Sequence, residues 1–496
     1  MALTIEDMAI FCKKKGFIFP NSEIYGGIAG FFDYGPLGVE LKNNIKQSWW
    51  KTFVQDRDDV VGIDGTTITH PKVWKASGHV DCFGDIMLEC TKCKERFRGD
   101  HLIQDVLKIQ ADGLSKEDID KLVIENKIHC TKCKSPLGPA HEFNLMFTTQ
   151  VGPVVTEESK TYLRPETAQL IFADFKAVMD TSRQKLPFGI AQSGRAYRNE
   201  ISPRDFLFRS REFEQMEIEF FIHPKETKCA LLSKEDLDFE FQILTQDNQE
   251  KNQSHSKIKA KDMIKNKVAG EWHVYWLRQV YQWFIDMGIK KENLRLREHL
   301  KDELAHYSSA CFDIEYQFPS GWKEIHGNAN RGQFDLQQHE KVSKKSMAIF
   351  DEATQEKVIP RVIEPSQGTD RAFLAVMFDA YEDDKERGNI VLKLSPRLSP
   401  IKVAVLPLVN KLEDEAKRIY NLLKKEFTCI YDRSGSVGRR YARADEIGIP
   451  YCITVDFEGK DDKTVTIRYR DNTKQVRVKI DDLIDTINNM IKGKYL

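Results

Sequence analysis

Four cysteines in this sequence are spaced to hold a metal ion. Cys90-Thr-Lys-Cys93-Lys and Cys130-Thr-Lys-Cys133-Lys repeat one pentapeptide, with 36 residues between the pairs. A CxxC turn brings two thiolates back onto one ion, and two such turns close a tetrahedral shell of four sulfurs. That shell has no open coordination position, so the expectation is a structural Zn²⁺ that staples an insertion and performs no chemistry. A second concentration of reactive groups is residues 189–224, GIAQSGRAYRNEISPRDFLFRSREFEQMEIEFFIHP. Two strand-like halves flank a polar loop holding Ser202, Pro203, Arg204 and Asp205, which predicts a long antiparallel hairpin. Alternation places Arg198 and Glu200 on one face of the first strand, and Phe213, Gln215, Glu217 and Glu219 on one face of the second. So many charges on one side of a half-buried strand point to a charged ligand. A guanidinium fork suits a phosphate, and a flat ring suits a purine. Glu364-Pro-Ser-Gln-Gly-Thr-Asp-Arg371 then precedes the apolar run AFLAVMFDAY. Gly368 allows close backbone approach before a helix whose N-terminal end favours anions, with Arg371 in its first turns, so this is a second phosphate-competent element.

These groups need a scaffold, and a chain of 496 residues has the length of roughly three domains. Hydrophobic residues make up 41% and charged residues 30%, with 75 Lys and Arg against 76 Asp and Glu, which excludes a disordered polyelectrolyte and a protein-wide basic coat. The N-terminus lacks a secretory pattern and no run approaches the ~20 apolar residues of a membrane span, so a cytoplasmic protein without a membrane association is expected. Cys12, Cys82, Cys229, Cys311, Cys429 and Cys452 stand singly among mostly apolar neighbours, as reduced buried thiols do. Pro36 can open a helix on which Leu37, Leu41, Ile45, Trp49 and Phe53 recur at every fourth residue, an apolar stripe for a core or a subunit interface. Short strands and hairpins follow, implying an antiparallel sheet flanked by helices. Residues 101–128 read as short helices between the cysteine pairs, and the lysine-rich stretch 247–268 as a solvated insertion. Beyond Leu394 and the SPRLSP segment, helices and strands alternate as in a small α/β domain, with 19 Lys and Arg against 15 Asp and Glu over 401–496. No Gly-rich phosphate loop of Walker or dinucleotide type is present in the sequence.

YRNE with a downstream arginine and REF resembles motif 2 of the class II aminoacyl-tRNA synthetases. PSQGTDR with its apolar helix resembles motif 3, and the striped helix with a strand ending at Pro71 resembles motif 1. In order along the chain, TYLRPETAQ (161–169), AYRNEISPR, REFEQMEIEFF, GWKEIHGNANR and EPSQGTDR are similar to the dimeric glycyl-tRNA synthetase family, and RRYARADEIGIPY (439–451) to its anticodon-binding domain. The resemblance implies an α+β fold. A class II catalytic domain spans 1–89 and 134–394, with the polar insertion at about 234–268; a four-cysteine zinc insertion spans 90–133; an α/β anticodon-binding domain spans 395–496. It implies activation of glycine by ATP with Mg²⁺, transfer to the 3′ end of tRNA, and a homodimer.

Carried onto this sequence, the resemblance makes Arg198, Glu200 and Arg371 the catalytic set. Arg198 would bind the α-phosphate with Asn199 and Glu200 beside it, Phe213 would stack on adenine, and Arg209 and Arg371 would hold the outer phosphates. Phe208, Glu324, Ile325 and Gly368 would complete the ATP site. Glu166, Glu217, Glu324 and Ser366 would surround glycine, with Arg98, Phe213, Gln215, Glu364 and Gly368 also lining its site, and Arg295 and Arg297 as further candidates. His326 stands where many bacterial relatives carry a second glutamate. Glycine offers no side chain to read, so carboxylates must grip its ammonium and crowd its α-carbon until any Cβ clashes. Two other readings stand beside this one: a prolyl, threonyl or histidyl enzyme of the same class, which shares the tail domain, and a non-catalytic nucleic-acid-binding relative, which keeps the fold without activity. RPET and EFEQMEIE argue against the first, and the presence of Arg198, Glu200 and Arg371 against the second.

Overall fold

Pro36 stands at the first position of α1 (Pro36–Trp50), where its missing N–H costs nothing. Four residues advance about 400° at 3.6 residues per turn, so a stripe of this spacing drifts by about 40° per step. The helix compensates at its end: Lys51–Gln55 forms a widened turn, closed by the Asp56 N–H on the Lys51 carbonyl at 2.9 Å. Leu41, Ile45, Trp49 and Phe53 are all buried within the single chain, which assigns the stripe to the core. The computed structural model describes every residue except 1, 2, 110, 112, 155, 157, 158, 306 and 494–496.

The core carries a central sheet of nine strands: β1 (Val60–Ile63), β2 (Phe188–Tyr197), β3 (Glu212–Ile222), β4 (Glu240–Leu244), β5 (Ser256–Lys259), β6 (Leu294–Glu298), β7 (Ala310–Phe318), β8 (Gly321–Gly332) and β9 (Arg361–Gly368). Their spatial order is β5-β4-β6-β7-β8-β9-β3-β2-β1. The run from β6 to β2 is antiparallel throughout, while β4 lies parallel to β6 and β1 parallel to β2. Alternation along β3 divides the molecule. Met216, Ile218 and Phe220 join the main core under α1, α3 (Glu271–Asp286) and α4 (Thr369–Ala380). Phe221 points the other way, into a second cluster with Phe188 and with Phe172 and Phe175 of α2 (Ala168–Ser182). The part of that second face left uncovered by α2 forms the floor of a cavity.

Two expectations are corrected. The strand β2 ends at Tyr197, so Arg198, Asn199 and Glu200 lie in the chain beyond it, and the Glu200 N–H turns back onto the Arg198 carbonyl at 2.7 Å. Pro71 does not end a strand: it opens the short helix Pro71–Ala76, whose Lys72 N–H is capped by His70 Nδ1 at 3.1 Å. The lysine-rich stretch, read as a solvated insertion, is largely exposed and contributes the edge of the central sheet. Phe241 and Ile243 are fully buried on β4, and β5 closes the sheet edge with Lys257 and Lys259 exposed. Lysines on an edge strand discourage pairing with another chain, which is why a structural strand reads as solvated polar sequence.

The cysteine pairs sit in a small body that reaches beyond them on both sides. Its sheet consists of Gly84–Glu89, Arg96–Arg98 and His141–Asn144, and the helices Gly99–Leu107 and Lys116–Glu125 bury Leu102, Ile103 and Ile119 against Leu88. After the linker comes the α/β domain: β10 (Val403–Pro407), α5 (Glu413–Leu423), β11 (Cys429–Tyr431), α6 (Val437–Glu446), β12 (Tyr451–Val455), β13 (Thr464–Tyr469), β14 (Gln475–Lys479) and α7 (Leu483–Ile491). The sheet order is β11-β10-β12-β13-β14, parallel in the first three strands and antiparallel in the rest. A hairpin of the larger body, Tyr381–Asp384 with Asn389–Leu392, carries Arg387 to the join, where its Nη1 donates to the Arg470 carbonyl at 2.7 Å.

Trp276 of α3 ties three elements together, with its ring centroid 5.0 Å from Phe220 of β3 and 6.3 Å from Phe53. Trp276→Ala is expected to lower unfolding free energy by about 3–5 kcal/mol, measured by urea denaturation of the full-length chain; a loss under about 1 kcal/mol would show that the site repacks.

Candidate active site and four-cysteine centre

A cavity of about 420 Å³ opens between the β2–β3 hairpin, β7–β9 and the start of α4. One end is rich in guanidinium. Arg198 emerges just past β2 with its Nε donating to the Pro165 carbonyl at 3.1 Å, and its guanidinium lies 5.3 Å from the ring centroids of both Phe213 and Phe83. Arg198 and Phe213 therefore share one side of the sheet. Arg209 donates from Nε to Glu200 at 2.9 Å. Arg371, in the first turn of α4, lies 4.5 Å over the Phe208 ring and 2.9 Å from a Glu324 oxygen. At Gly368 the nearest atoms an added Cβ would meet are those of the Arg371 side chain, at 3.6 Å, an ordinary van der Waals contact.

The other end is rich in carboxylates, brought together by strand register. Gln215 pairs with Gly368 and Glu217 with Ser366 across β3–β9, and Ser366 pairs with Gly327 and Glu364 with Ala329 across β9–β8. A β-bulge then changes the parity. Glu315 of β7 stands opposite Glu324, but Ile314 stands opposite His326, so Ile325 is an extra residue in β8. Because of it Glu324 and Gly327 both line the cavity, whereas Ile325 joins the core and His326 is buried on the opposite side, its pKa pushed down to about 3 by burial.

The carboxylates differ in state. Glu217 accepts from Ser366 Oγ at 2.6 Å, Gln215 Nε2 at 2.9 Å, the Thr167 N–H at 3.1 Å and the Thr167 hydroxyl, yet burial and the charge of Glu166 raise its pKa. Burial also works to raise Glu166, but His79 at 3.3 Å and the buried Arg331 outweigh it and hold Glu166 below the usual carboxylate range. Glu364 is pushed up to about 8 by burial together with Glu217 and Glu166, against the opposing Arg331 at 2.9 Å. Partial desolvation at the cavity wall works to raise Glu324, but Arg371 at 2.9 Å outweighs it and keeps Glu324 below its ordinary value. Burial and the charge of Glu364 raise Glu219, whose two oxygens have no hydrogen-bond partner among the described residues. Such a group of crowded acids is stabilised by any small cation that enters among them.

Of the residues singled out from sequence, Glu166, Arg198, Glu200, Phe208, Arg209, Phe213, Gln215, Glu217, Glu324, Glu364, Ser366, Gly368 and Arg371 line this one cavity. Asn199, Ile325 and Arg98 do not. Asn199 is fixed by its backbone N–H on the Leu145 carbonyl at 2.7 Å, and Arg98 pairs with Asp100 at 2.6 Å and Asp85 at 3.2 Å outside the cavity. Arg295 and Arg297 are committed to Glu315 and Glu303, each at 2.6 Å, and neither lines the cavity. Sequence reasoning passed over Arg331, the buried cation under the acids, although it ends the GNANR run on β8. It also passed over Asp313, which lines the cavity and is held at 2.8 Å by His299.

The cysteines converge. The Sγ atoms of Cys90, Cys93, Cys130 and Cys133 all lie within 4.8 Å of one another, with Cys90 and Cys133 at 3.4 Å and Cys93 and Cys130 at 3.6 Å. Four ligands about 2.3 Å from a central ion would sit about 3.8 Å apart, so the cage fits Zn²⁺. The two turns are near copies: Lys94 and Lys134 both adopt φ 60°, and each donates its N–H to the carbonyl of the first cysteine of its pair.

Two family models match the chain: the tRNA synthetase class II core domain (G, H, P, S and T) over residues 147–234, and an anticodon binding domain over residues 402–490. Glycine–tRNA ligase from Caldanaerobacter subterraneus subsp. tengcongensis is 45% identical over 498 residues, covering 99% of both chains. That from Acetivibrio thermocellus is 46% identical over 503 residues, covering 99% of this chain and 98% of the relative. The fold is also that of prolyl-tRNA synthetase from Cryptosporidium parvum, in a crystal structure complexed with halofuginone and AMPPNP, at TM-score 0.58 and 12% identity over 99% of this chain and 76% of that one.

A carboxyl raised in the folded state favours folding when protonated, so the contribution of Glu364 is complete below its ordinary value of 4.5 and declines as pH rises toward about 8. Glu364→Gln should therefore gain stability relative to wild type across that window in urea melts at stepped pH, and a difference independent of pH would refute the raised value. Cys130→Ser should lose most of the bound zinc on metal analysis; full zinc retention would exclude this thiolate as a ligand.

Proposed function

The chain belongs to the glycine–tRNA ligase family of class II synthetases, and on that premise we propose how its site divides the work. The activity is ligation of glycine to tRNA. ATP lies along the hairpin, with adenine on Phe213, the α-phosphate on the Arg198 fork beside Glu200, and the outer phosphates on Arg209 and Arg371. A charge-assisted fork is worth about twice a neutral hydrogen bond. The observation that carries this reading is the single cavity in which Arg198 and Phe213, on one side of the sheet, adjoin the carboxylate wall.

Glycine places its ammonium among Glu166, Glu217 and Glu364, where it relieves the repulsion that raises Glu217 and Glu364. Glu217 is anchored by Thr167, Gln215 and Ser366, so it cannot swing aside for a Cβ, and exclusion by a rigid wall is the effective way to select the smallest amino acid. The glycine carboxylate oxygen attacks the α-phosphorus in line, pyrophosphate leaves, and the terminal ribose hydroxyl of tRNA then attacks the carbonyl carbon and releases AMP. No protein nucleophile is needed: Arg198 and Arg371 hold the phosphates in line and stabilise the charge that builds on them. Bound with ATP, Mg²⁺ supplies further neutralisation of phosphate charge, and Glu324 on the cavity wall is the hard oxygen donor that would hold it.

The four-cysteine cage holds a structural Zn²⁺, and the tail domain meets the anticodon. We place the chain in the cytoplasm as a homodimer, as the resemblance implies; among the described residues no helix is long and apolar enough to cross a membrane. ATP–pyrophosphate exchange with glycine, alanine, serine and proline tests the reading, with exchange expected for glycine alone. Equal exchange with alanine would remove the rigid-wall account. Arg198→Ala should lower exchange by about 100-fold or more with an unchanged circular dichroism spectrum. A variant as active as wild type would remove its phosphate role.

A further inference from the structure

The strand Arg96–Arg98 runs from the first cysteine pair directly into the helix Gly99–Leu107, and the first turn of that helix reaches the hairpin loop. His101 Nδ1 lies 3.1 Å from Arg204 Nη2, and His101 Nε2 lies 3.3 Å from Arg209 Nη1. A neutral imidazole has one acceptor nitrogen and one N–H. Two guanidinium groups thus converge on a ring that can accept from only one of them, and the other contact sets donor against donor. The nearby acids face other cations and not the ring: Asp100 pairs with Arg98, Glu200 with Arg209, Asp205 with Lys323 at 2.7 Å and the exposed Asp105 with Arg204 at 3.4 Å, while Asp85 Oδ2 lies 3.2 Å from Arg98 and 3.8 Å from Arg209 without a hydrogen bond among the described residues. Burial, with the charges of Arg98, Arg209 and Arg204 against that of Asp100, pushes His101 down to about 4. At the ring itself one donor therefore faces another with no acceptor between them, and an oxyanion entering from the cavity beside Arg204 and Arg209 supplies that acceptor.

We propose that His101 is a phosphate-binding residue whose ring N–H, with Arg204 and Arg209, takes the terminal diphosphate of ATP and the departing pyrophosphate. The cysteine-pinned body then supplies one wall of the phosphate site and is more than an appendage. The inference rests on reading Arg209 as a contact of the outer phosphates. It needs no bond beyond those the ligation already makes and breaks.

Exchange kinetics of the full-length zinc-loaded chain test it, comparing His101→Ala, His101→Asn and Arg209→Ala. In His101→Ala the KM values for pyrophosphate and ATP should rise about tenfold or more, the scale of one hydrogen bond to a charged group. The KM for glycine, the zinc content and the affinity for glycyl-sulfamoyl-adenosine, an adenylate mimic without outer phosphates, should match wild type. His101→Asn retains an N–H and should recover part of the loss. If Arg209→Ala weakens pyrophosphate and His101→Ala does not, the inference falls while the reading of Arg209 stands; if neither does, both fall. Equal weakening of the mimic would make His101 a folding residue, and a loss confined to the KM for tRNA would assign it to a backbone phosphate of that RNA. Either result overturns the proposal.

Discussion

Burial of like charges is the constraint on which the site depends. Glu166 and Glu364 lie within 4.0 Å of Arg331, which is itself 1% exposed and held by Asp335 through two further hydrogen bonds. Taking carboxylates out of water is tolerated only when cations and donors compensate them, and removing one partner of such a set costs about 3–5 kcal/mol because the rest is left uncompensated. The sheet supplies the geometry for this compensation. Strand β3 turns an apolar face into the core and an acidic face into the cavity, so packing of Met216, Ile218 and Phe220 on one side fixes where Glu217 stands on the other. Stability and specificity are thereby properties of one strand.

The same logic extends outward. The cysteine-bearing body packs its own small core, yet its surface side chains enter the ion-pair network of the hairpin, where Asp85 lies between Arg98 and Arg209. The tail domain is attached comparably, by side chains on backbone acceptors. Arg470 donates to the Leu394 carbonyl at 2.7 Å and Asn44 to the Leu398 carbonyl at 3.0 Å, so the linker is pinned from both sides. Directional hydrogen bonds of this kind set orientation more than they set strength.

Much of this was legible in the sequence, for physical reasons that differ by region. The paired CxxC turns announce themselves because metal chemistry fixes residue type and spacing together. The alternating tail and the apolar run after PSQGTDR were readable because periodicity survives burial. Arg198 and Phe213 were placed on one side of the sheet, although the alternation invoked for Arg198 and Glu200 does not apply, since both lie past the end of β2. The lysine-rich strand β5 was hidden by its own solubility, and Pro71 by its ability to start a helix as readily as to follow a strand. Arg331 and Asp313 escaped notice because their importance comes from partners far along the chain, which one-dimensional patterns do not encode. Ile325 was misplaced for a related reason: a bulge leaves no compositional trace.

That bulge has a consequence for how this wall can change. Side-chain parity along a strand is binary, so an aliphatic replacement at Ile325 keeps the count and leaves every neighbour facing as before. Loss of the residue would close the bulge with the register intact: His326 would still stand opposite Ile314 and Glu324 opposite Glu315, so Glu324 would keep its side and the wall would lose only the local bend and the apolar plug that the extra residue supplies.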